Sequence, residues 1–491
     1  MDDEHRLVKE RLRKIEELRQ AGINPYPSLF KKKDSAAGIK ERHAKLKKEE
    51  QTKDKVAVAG RLMSFRDMGK AAFAHILDAT GRIQLFFRQD DLGEQEYKIL
   101  KKLDVGDFLG AEGEVFCTKT GEITVYVKKF KLLTKSLLPL PEKFHGLQDQ
   151  ELRYRMRYLD LVMNPEVKEI FIKRSKTIAA IREFLTKEGY IEVETPILQP
   201  IYGGTSARPF KSKLNALNMD VYMRISNEMY LKRLIVGGYE KIFEFSQDFR
   251  NEGIDRTHNP EFLQMETMCA YADYMQNMDT FERMIEFVAK NVLGTTAFEY
   301  QGTKIDVKAP WKRMTMFDAI KKHSGHDLKD EADLHTLKKI AREAGAEVKE
   351  GMIWGELIAA IFETTVEKHL IQPTIIYDFP ADTSPLSKKK ESDPRFVERF
   401  EPYINGWELG NAYSELNDPQ VLKDNWKQQK EKMKQGDEEA QPLDEDFIRA
   451  LEYGMPPTSG IGIGVDRVVM LLTNSQSIRD VIFFPFMRAE N

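Results

Sequence analysis

The order of hydrophobic and polar positions changes along the chain and divides it into segments with different predicted structure. Residues 4–20 place apolar side chains at helical spacing among Lys and Arg residues, which predicts an amphipathic basic helix that ends at Gly22. The apolar positions of this helix are Val8, Leu12, Ile15 and Leu18. More basic residues follow as far as Lys55, so the segment is either a solvated helix face or a surface for a polyanion.

From Val56 to about Lys135 the pattern changes to short runs in which β-branched and aromatic residues alternate with polar ones. Turn signals at 78–81 and 119–122 separate these runs and predict about five strands. A small closed barrel fits this pattern, and the OB-fold is the most common such barrel with a binding face. Its aromatic, Arg and Gln side chains favour contacts with unpaired bases. A strand-rich domain without a ligand is the alternative.

A linker and a second, longer region follow the barrel segment. Pro139 and Pro141 mark the linker, and from Leu147 onward long helical periods alternate with strand-like runs. The charge-dense, Gln-rich stretch 423–446 predicts an exposed helix and loop. The predicted domains are 1–55 (basic N-terminal helix and extension), 56–138 (barrel) and 139–491 (a larger domain).

Composition excludes several classes of protein. With 491 residues, 41% hydrophobic and 32% charged, the chain fits a multidomain globular protein rather than a disordered or membrane protein. The 76 Lys and Arg residues nearly balance 79 Asp and Glu residues, so local patches would have to hold any polyanion. Cys117 and Cys269 stand apart from other metal-ligand residues and indicate neither a disulfide framework nor a zinc site. No signal peptide or membrane span is predicted, and we expect a cytoplasmic location.

Three segments of the larger region carry polar residues where strands are normally apolar. In the first, residues 240–262, a strand leads through a turn at 251–253 into a second strand. Arg250 and Glu252 lie at the mouth of this predicted hairpin. The arginine could clamp a phosphate or carboxylate, and an aromatic residue after the loop could stack on a base. A surface hairpin with an Arg–Glu ion pair is an equally good interpretation of this segment alone.

The second segment, residues 399–419, repeats glutamate every seven residues. A hairpin turn at Asn405–Gly406 would bring Glu401 and Glu408 opposite one another, where two carboxylates could hold Mg²⁺ together with substrate phosphates. Glu415 could instead pair with a cationic substrate. An exposed helix with heptad glutamates is the alternative, but the Gly and Asn residues of the segment disfavour it.

The third segment, residues 458–472, has alternating glycines followed by Asp466, Arg467 and an apolar helical run. This pattern predicts a strand that a ligand or neighbour approaches closely, and a helix that begins with a charged turn. The spacing does not match a Rossmann glycine loop, and no Walker lysine motif is present, so ATP would be bound in another way.

In order and spacing, these segments resemble the signatures of the class II aminoacyl-tRNA synthetase family. GYIEVETPIL resembles the first signature, FRNEG with RTHNPEF the second and GIGIGVDR the third. GLQDQELRYRMRYLDL and GGTSARPF resemble the lysyl-tRNA synthetases rather than the aspartyl or asparaginyl branch. The resemblance extends from about residue 56 to the C-terminus. It implies an α+β multidomain fold, with an N-terminal OB-fold β-barrel that binds the anticodon and a class II antiparallel β-sheet core flanked by helices.

The resemblance also implies an activity. A member of this branch activates lysine with ATP to lysyl-adenylate, releases pyrophosphate, and transfers the lysyl group to the 3′ end of lysine tRNA, releasing AMP. The expected partners are ATP, L-lysine, lysine tRNA and a second copy of the chain in a homodimer, with Mg²⁺ as cofactor and no membrane. The expected selection of lysine rests on a carboxylate that would be left unpaired by an uncharged rival.

Residue roles carried over from the resemblance complete the expectations. The implied catalytic residues are Arg250 and Arg467. The implied ATP-binding residues are Arg250, Glu252, His258, Asn259, Phe262, Glu401 and Arg467. The implied lysine-binding residues are Gly204, Glu228, Arg250, Glu266, Asn411, Tyr413 and Glu415. The implied Mg²⁺ ligands are Glu401 and Glu408, and the implied anticodon-binding residues are Arg66, Phe73, Gln84 and Glu122.

Three positions depart from the family pattern. Met268 stands where a tyrosine usually helps to bind the ε-ammonium, Asn227 replaces a proline, and Trp407 replaces a common basic residue. Two other functions share the fold, namely attachment of lysine or a related amino acid to a protein, and RNA binding without catalysis. The base-contacting barrel argues against the first, and the retained charges of the predicted site argue against the second, because burying charge costs desolvation energy.

Overall fold

Two units make up the chain, Met1–Gly146 and Leu147–Asn491. The structure is a computed structural model, and it describes residues 2–141, 147–330, 333–434 and 442–489. The three-part division at residues 55 and 138 stays a prediction.

The first unit contains, within residues 2–141, a closed barrel of five strands in the order β1-β2-β3-β5-β4. The predicted number of strands and both predicted turns are confirmed. Along β2 the odd-numbered residues 71–77 face outward and the even-numbered residues 72–78 are buried, as a strand of period two requires. The strands are β1 (Gln51–Asp67), β2 (Ala71–Asp78), β3 (Gly81–Arg88), β4 (Phe108–Cys117) and β5 (Ile123–Thr134). The helices are α1 (Asp2–Gln20), α2 (Ala36–Arg42), α3 (Gln89–Leu92) and α4 (Glu94–Leu100).

Helix α1 confirms the predicted N-terminal helix but not its whole apolar face. Ile15 and Leu18 are buried, whereas Leu12 is 48% exposed, so its assignment to the packed face is wrong. Arg11 takes that place instead. Its guanidinium is buried and donates to the Ser136 hydroxyl at 2.5 Å and the Val105 carbonyl at 3.1 Å. One arginine of the predicted basic surface therefore serves packing, because it satisfies acceptors beside the barrel.

The second unit is built on a nine-stranded sheet with the main path β14-β15-β16-β18-β19-β11-β10-β6, to which β17 adds beside β16. Neighbours in its centre are antiparallel, as predicted, but the two edge pairs β14–β15 and β10–β6 are parallel. The strands are β6 (Ile191–Glu192), β10 (Lys241–Phe249), β11 (Glu261–Ala270), β14 (Lys312–Thr315), β15 (Thr374–Pro380), β16 (Phe396–Ile404), β17 (Trp407–Glu408), β18 (Gly410–Ser414) and β19 (Thr458–Gly464). Two small sheets hold β7 (Leu198–Gln199), β8 (Lys211–Leu214) and β9 (Met219–Met223), and β12 (Ala297–Tyr300) and β13 (Thr303–Asp306).

Helices flank this sheet, and the α+β prediction is confirmed. They are α5 (Gln150–Arg155), α6 (Arg157–Met163), α7 (Pro165–Lys187), α8 (Glu228–Val236), α9 (Tyr274–Leu293), α10 (Met316–Ser324), α11 (Leu334–Glu343), α12 (Trp354–Thr365), α13 (Pro419–Lys434), α14 (Glu445–Glu452), α15 (Val465–Thr473) and α16 (Ile478–Val481). Short 3-10 turns occupy Asn215–Leu217, Glu367–His369 and Ala381–Thr383. In the described residues, no helix has the length and apolarity to cross a membrane.

The two faces of the central sheet differ in chemistry. On one face, side chains from β10, β11, β18 and β19 pack against α7, α9 and α15 in the main hydrophobic core. The sheet contributes Phe243, Met265, Ala412, Ile461 and Ile463. Because successive side chains of a strand point to opposite faces, the residues between these point away from the core. This second face carries the charged residues that the sequence places in strands.

The charge-dense stretch 423–446 is not wholly exposed. Helix α13 buries Trp426 in a second cluster with Leu422 and Phe447. Its predicted loop falls partly on residues 435–441, which lie outside the described residues.

Candidate active site

The polar face of the central sheet holds a cavity of about 260 Å³. Its floor is the glycine strand β19, which runs between β11 and β18. Gly460 lies opposite both Met268 and Tyr413, and Gly462 opposite both Glu266 and Asn411. A Cβ atom on Gly460 would lie only 2.5 Å from Glu415 Oε1. The missing side chains of β19 therefore create the space between the polar residues of its two neighbours.

One end of the cavity carries two arginines. Arg250 follows β10, and its guanidinium lies 5.0 Å from the centre of the Phe262 ring on the facing strand. Arg467, in the first turn of α15, donates to the Glu408 carbonyl at 2.7 Å. The neighbouring Asp466 fixes this helix on the sheet by accepting from the Leu263 amide at 2.8 Å. Two guanidinium groups at one end favour an anionic ligand there.

The other end of the cavity carries three buried carboxylates, on Glu228, Glu266 and Glu415. Ser226 and Gln264 donate to Glu266 Oε1 at 3.1 and 2.7 Å. Glu266 Oε2 is buried and has no hydrogen-bond partner among the described residues. Burial and the neighbouring Glu228 carboxylate raise the pKa of Glu266 well above its usual range. A ligand cation that approached Glu266 would offset this cost and favour the ionised form.

The backbone of Gly204 closes this end of the cavity. Its φ is 95°, which favours glycine, and a Cβ atom there would lie 2.7 Å from the Ser226 hydroxyl. Ser226 in turn donates to Glu266, so the close approach of Gly204 brings a backbone segment next to the carboxylates.

The predicted glutamate pair lies on one hairpin, although its members are not directly opposite. The turn at Asn405–Gly406 joins β16 to β17, and Glu408 pairs with Tyr403 rather than with Glu401. Both oxygens of Glu401 already accept hydrogen bonds, one from Arg399 and one from the Tyr403 hydroxyl at 2.6 Å. The side chain of Glu408 lines the cavity and is 40% exposed. Partial burial in the cavity, together with the nearby Glu401 carboxylate, raises the pKa of Glu408 above its usual value.

A metal at this hairpin would need donors from a ligand. In the described parts of the chain, no group of three or more His, Cys, Asp or Glu residues is arranged to hold a metal. The carboxylates of this hairpin suit Mg²⁺, which is commonly bound by one or two carboxylates and by substrate phosphates, and Glu408 is the one that lines the cavity. The arrangement as a whole suits a ligand that is anionic at the arginine end and cationic at the carboxylate end.

Comparison with known proteins identifies the family. Residues 149–488 match the family model "tRNA synthetases class II (D, K and N)", and residues 56–133 match "OB-fold nucleic acid binding domain". The chain belongs to the class II tRNA synthetases of this group.

Similar proteins cover nearly the whole synthetase. The "Lysine--tRNA ligase" of Carboxydothermus hydrogenoformans is 52% identical over 483 residues, which cover 98% of each protein. The protein of the same name from Moorella thermoacetica is 51% identical and covers 99% of each, and that from Halalkalibacterium halodurans is 49% identical over 98% of this chain and 97% of the relative.

The structure of the synthetase brings most of the predicted site residues together. Thirteen of them line the cavity: Gly204, Glu228, Arg250, Glu252, His258, Asn259, Phe262, Glu266, Glu408, Asn411, Tyr413, Glu415 and Arg467. In the described part of the chain, Glu401 is the predicted residue of this set that does not line the cavity. Glu401 instead contacts Arg399 and Tyr403 on its own strand. Strand pairing sets Glu408 opposite Tyr403, two residues away from Glu401.

The predicted anticodon residues lie on the outer surface of the barrel in the first unit. Phe73 packs on Phe86 with ring centres 4.7 Å apart, outside the hydrophobic core of the barrel. Gln84 donates to Glu122 at 2.8 Å, and the exposed Arg66 lies opposite Phe73 in the strand register. These four residues therefore share one face of the barrel, and their part in anticodon binding stays a prediction.

Two departures from the family pattern have structural partners. Asn227 donates from its side-chain amide to Glu244 at 2.8 Å, a hydrogen bond that a proline could not make. Trp407 packs edge-on against Tyr300 with ring centres 5.3 Å apart. Met268 is buried beside Gly460, next to Glu415, where it supplies a thioether in place of a hydroxyl group.

Lys232 and Asp248 lie beside the site but were not predicted from the sequence as site residues. Lys232 follows Glu228 by four residues in α8, which reads as an ordinary helical ion pair, so no local signal marks it. The sequence does contain a pattern from which the position of Asp248 could have been predicted. Polar residues recur at every second position from Glu244 to Arg250, with Phe245, Gln247 and Phe249 between them, which indicates a polar face on this strand. Asp248 is fully buried on this face, 3.4 Å from Arg224, and neither of its oxygens has a hydrogen-bond partner among the described residues.

Asp248 should make the stability of the folded synthetase depend on pH. Burial, opposed by Arg250 and Arg224, raises the pKa of Asp248 from 3.8 to about 7. The folded protein therefore binds this proton more tightly than the unfolded chain, and the resulting stability is present below pH 3.8 and is lost as the pH rises through about 7. Asp248→Asn, which cannot ionise, should melt at a higher temperature than the wild type, and the gap should be smaller near pH 5 than near pH 8.

Thermal unfolding at both pH values measures this gap. Asp220→Asn is the matched control, because Asp220 is half exposed and pairs with Lys211 on the surface. A gap that is absent, or that has the opposite sign, would contradict the prediction.

Proposed function

We propose that the chain is a lysine–tRNA ligase, which activates lysine with ATP and transfers the lysyl group to lysine tRNA. The observation that carries this proposal is the charge pattern of one cavity, with two arginines at one end and three buried carboxylates at the other. Lysine carries two ammonium groups and one carboxylate, and ATP adds phosphates, so the ligand pair has the complementary pattern. The relatives named "Lysine--tRNA ligase", about half identical over almost the whole chain, support the same activity.

The first step requires no general base. The carboxylate of lysine is already a nucleophile at neutral pH, and one of its oxygens attacks the α-phosphorus of ATP. A C–O–P bond forms, and the bond from the α-phosphorus to the bridging oxygen of pyrophosphate breaks. Arg250 would hold both the carboxylate and the α-phosphate, and Arg467 would hold the γ-phosphate. Catalysis then consists of alignment and of neutralising the charge that gathers on phosphate oxygens.

The remaining residues at the arginine end would position ATP. Phe262 offers one ring face to adenine, while Arg250 lies close to the same ring. Glu252 and His258 are exposed on the loop between β10 and β11, where they can reach a nucleotide. Asn259 is buried and holds this loop by donating to the Glu261 carbonyl at 2.6 Å.

The carboxylate end would bind the two ammonium groups. The residues that would bind the α-ammonium are the Gly204 backbone, Glu228 and Glu266. Oε2 of Glu266 has no hydrogen-bond partner among the described residues and is open to such a ligand. Glu415 is the residue for the ε-ammonium, and Asn411 and Tyr413 line the wall between the two ends. An uncharged amino acid of similar length would bring no ammonium group to Glu415 and would lose one charge-assisted contact, at a cost of about 1.5–3 kcal/mol.

Mg²⁺ is the expected cofactor. Glu408, which lines the cavity, and Glu401 on the same hairpin would hold it. When bound, the ion would neutralise the charge of the ATP phosphates. Arg399 keeps Glu401 in place from behind and also donates to Asn411 at 2.9 Å, so one arginine orients residues of both predicted sites.

The second step passes the lysyl group from the adenylate to the terminal ribose of the tRNA. The OB-fold barrel would bind the anticodon through Phe73, which would stack on a base, and through Arg66, Gln84 and Glu122, which would contact base edges. A tRNA acceptor accounts for this barrel, whereas a protein acceptor would not. We further propose a homodimer through the first signature, where Ile191, Ile197 and Leu198 are about half exposed beside the edge strand β6. The cytoplasmic location stays a prediction.

Lysine-dependent exchange of pyrophosphate into ATP tests the first step directly. With a panel of lysine, ornithine, arginine and asparagine, we expect lysine to give the highest kcat/KM. The expected preference over asparagine is at least about 100-fold, because asparagine has no side-chain cation. Pyrophosphate exchange that does not depend on lysine, or a higher kcat/KM for another amino acid of the panel, would contradict the proposal.

Glu415→Gln should separate lysine binding from ATP binding. The substitution removes the charge that is expected to face the ε-ammonium, so the KM for lysine should rise at least about tenfold while the KM for ATP changes less than about twofold. Glu261→Gln is the matched control, since Glu261 lies on β11 outside the lining of the cavity. Equal effects on the two substrates would show that Glu415 is not the partner of the ε-ammonium.

Phe73→Ala should weaken tRNA charging without affecting amino-acid activation. Loss of one stacked base costs about 1–3 kcal/mol, so kcat/KM for tRNA should fall roughly 10-fold to 100-fold while pyrophosphate exchange stays unchanged. Phe87→Ala provides the contrast, because Phe87 lies in the barrel core and its loss should lower thermal stability instead. A parallel loss of both activities in Phe73→Ala would contradict the assignment.

A further inference from the structure

A buried lysine of the chain lies between two of the carboxylates at the cationic end of the cavity. Lys232, on α8, places Nζ 2.6 Å from Glu228 Oε1 and 2.5 Å from Glu415 Oε2. Its side chain is 1% exposed, and it is not one of the described residues that line the cavity. The ammonium group therefore contacts the carboxylates from behind, on the side away from the ligand.

We propose that Lys232 is the positioning residue that favours the ionised forms of Glu228 and Glu415 and orients both side chains for the two ammonium groups of lysine. This inference rests on the proposed function and adds a residue to which no role in substrate selection has been assigned above.

Lys232 contacts both carboxylates, through a hydrogen bond to Glu228 and an ion pair with Glu415. Glu228 accepts from Lys232 through one oxygen and from the Tyr413 hydroxyl, at 2.6 Å, through the other. The Tyr413 ring also lies 5.6 Å from Lys232 Nζ, within reach of a cation–π interaction. On the other side of Lys232, Glu415 meets Met268, which has no hydroxyl to donate. Lys232 is thus the cation that the described chain supplies to Glu415.

The charges of the pocket match the ligand only when Lys232 is counted. In the ionised forms that a bound cation favours, Glu228, Glu266 and Glu415 together carry three negative charges, and Lys232 reduces this sum to two. Lysine brings two ammonium groups to this end, while Arg250 is placed to meet its carboxylate. Three buried carboxylates without an internal cation would repel one another, and at least one would take up a proton near neutral pH.

Few other charged groups lie around Lys232 and Glu415. Glu228 and Lys232 belong to α8, Glu415 and Tyr413 to the β18 segment, and Glu266 to β11. Glu244 on β10 is itself paired with Arg224 at 2.7 Å. Burial raises the pKa of Glu415 to about 8 even beside Lys232, which opposes the shift. Removal of the lysine would raise the pKa further, so a loss of lysine affinity should be largest near pH 7 and smaller at higher pH.

Lys232→Met, which keeps the length of the side chain and removes its charge, tests the inference by lysine-dependent pyrophosphate exchange. Near pH 7, the KM for lysine should rise at least about tenfold, with the KM for ATP within about twofold of the wild type. The increase should shrink at about pH 8.5. Arg233→Met is the matched control, because Arg233 lies on the same helix and pairs with Asp444 away from the cavity. An unchanged or lower KM for lysine would overturn the inference.

A double variant shows whether Lys232 acts through Glu415. The combination of Lys232→Met with Glu415→Gln should raise the KM for lysine no further than Glu415→Gln does alone. Independent, multiplying losses would overturn the inference. The double variant also removes the carboxylate that Lys232→Met leaves buried without its cation, so this comparison decides the question if Lys232→Met alone does not fold.

The outcomes separate this inference from the proposed function. A wild-type chain without lysine-dependent exchange would count against the proposed function itself. Normal exchange by the wild type, together with an unchanged KM for lysine in Lys232→Met, would count against the role of Lys232 alone. Lys232→Arg retains the cation and should keep the KM for lysine within about fivefold of the wild type. A loss as large as that of Lys232→Met would show that the charge is not what matters.

Discussion

The alternation of side chains across the central antiparallel strands is the constraint on which the rest of this structure depends. Each strand sends every second residue into the core against α7, α9 and α15, and the remaining residues to the opposite face. Met265 therefore packs inside while Glu266 faces the cavity, and Ile461 packs inside while Gly460 and Gly462 form the floor. A shift of one residue in the pairing of β11 with β19 would exchange core and site.

Charged groups are tolerated on this face because most of them have partners. Arg224 joins Glu244 and Asp248, Arg399 joins Glu401 and Asn411, and Asp466 joins the Leu263 amide. Buried charges that lack partners are costly, so each of these contacts also fixes the position of a side chain beside the cavity. The oxygens of Asp248 and Oε2 of Glu266 lack hydrogen-bond partners among the described residues, but only Glu266 lines the cavity, where a bound cation would supply the missing hydrogen bond.

The barrel of the first unit follows the same rule with a different result. Its inward side chains, such as Phe87, form the core, and its outward side chains include the aromatic pair of Phe73 and Phe86. Aromatic rings on an outer face leave flat surfaces for bases, and Gln84 and Glu122 beside them supply donors and acceptors. In both units the core and the binding surface are the two faces of the same strands.

The sequence by itself determined the features that depend on local chemistry. Period-two alternation and turn residues predicted the barrel strands, the hairpin of β10 and β11, and the turn at Asn405–Gly406. Alternating glycines predicted the strand that a ligand approaches, and resemblance to the family indicated which residues meet in one cavity.

Tertiary structure alone decided how residues far apart in the chain are paired. It buried Arg11 in place of Leu12, against Ser136, and brought Lys232 to Glu415. These contacts join elements distant in sequence, and because packing and the cost of burying charge select them, no local pattern could have shown them.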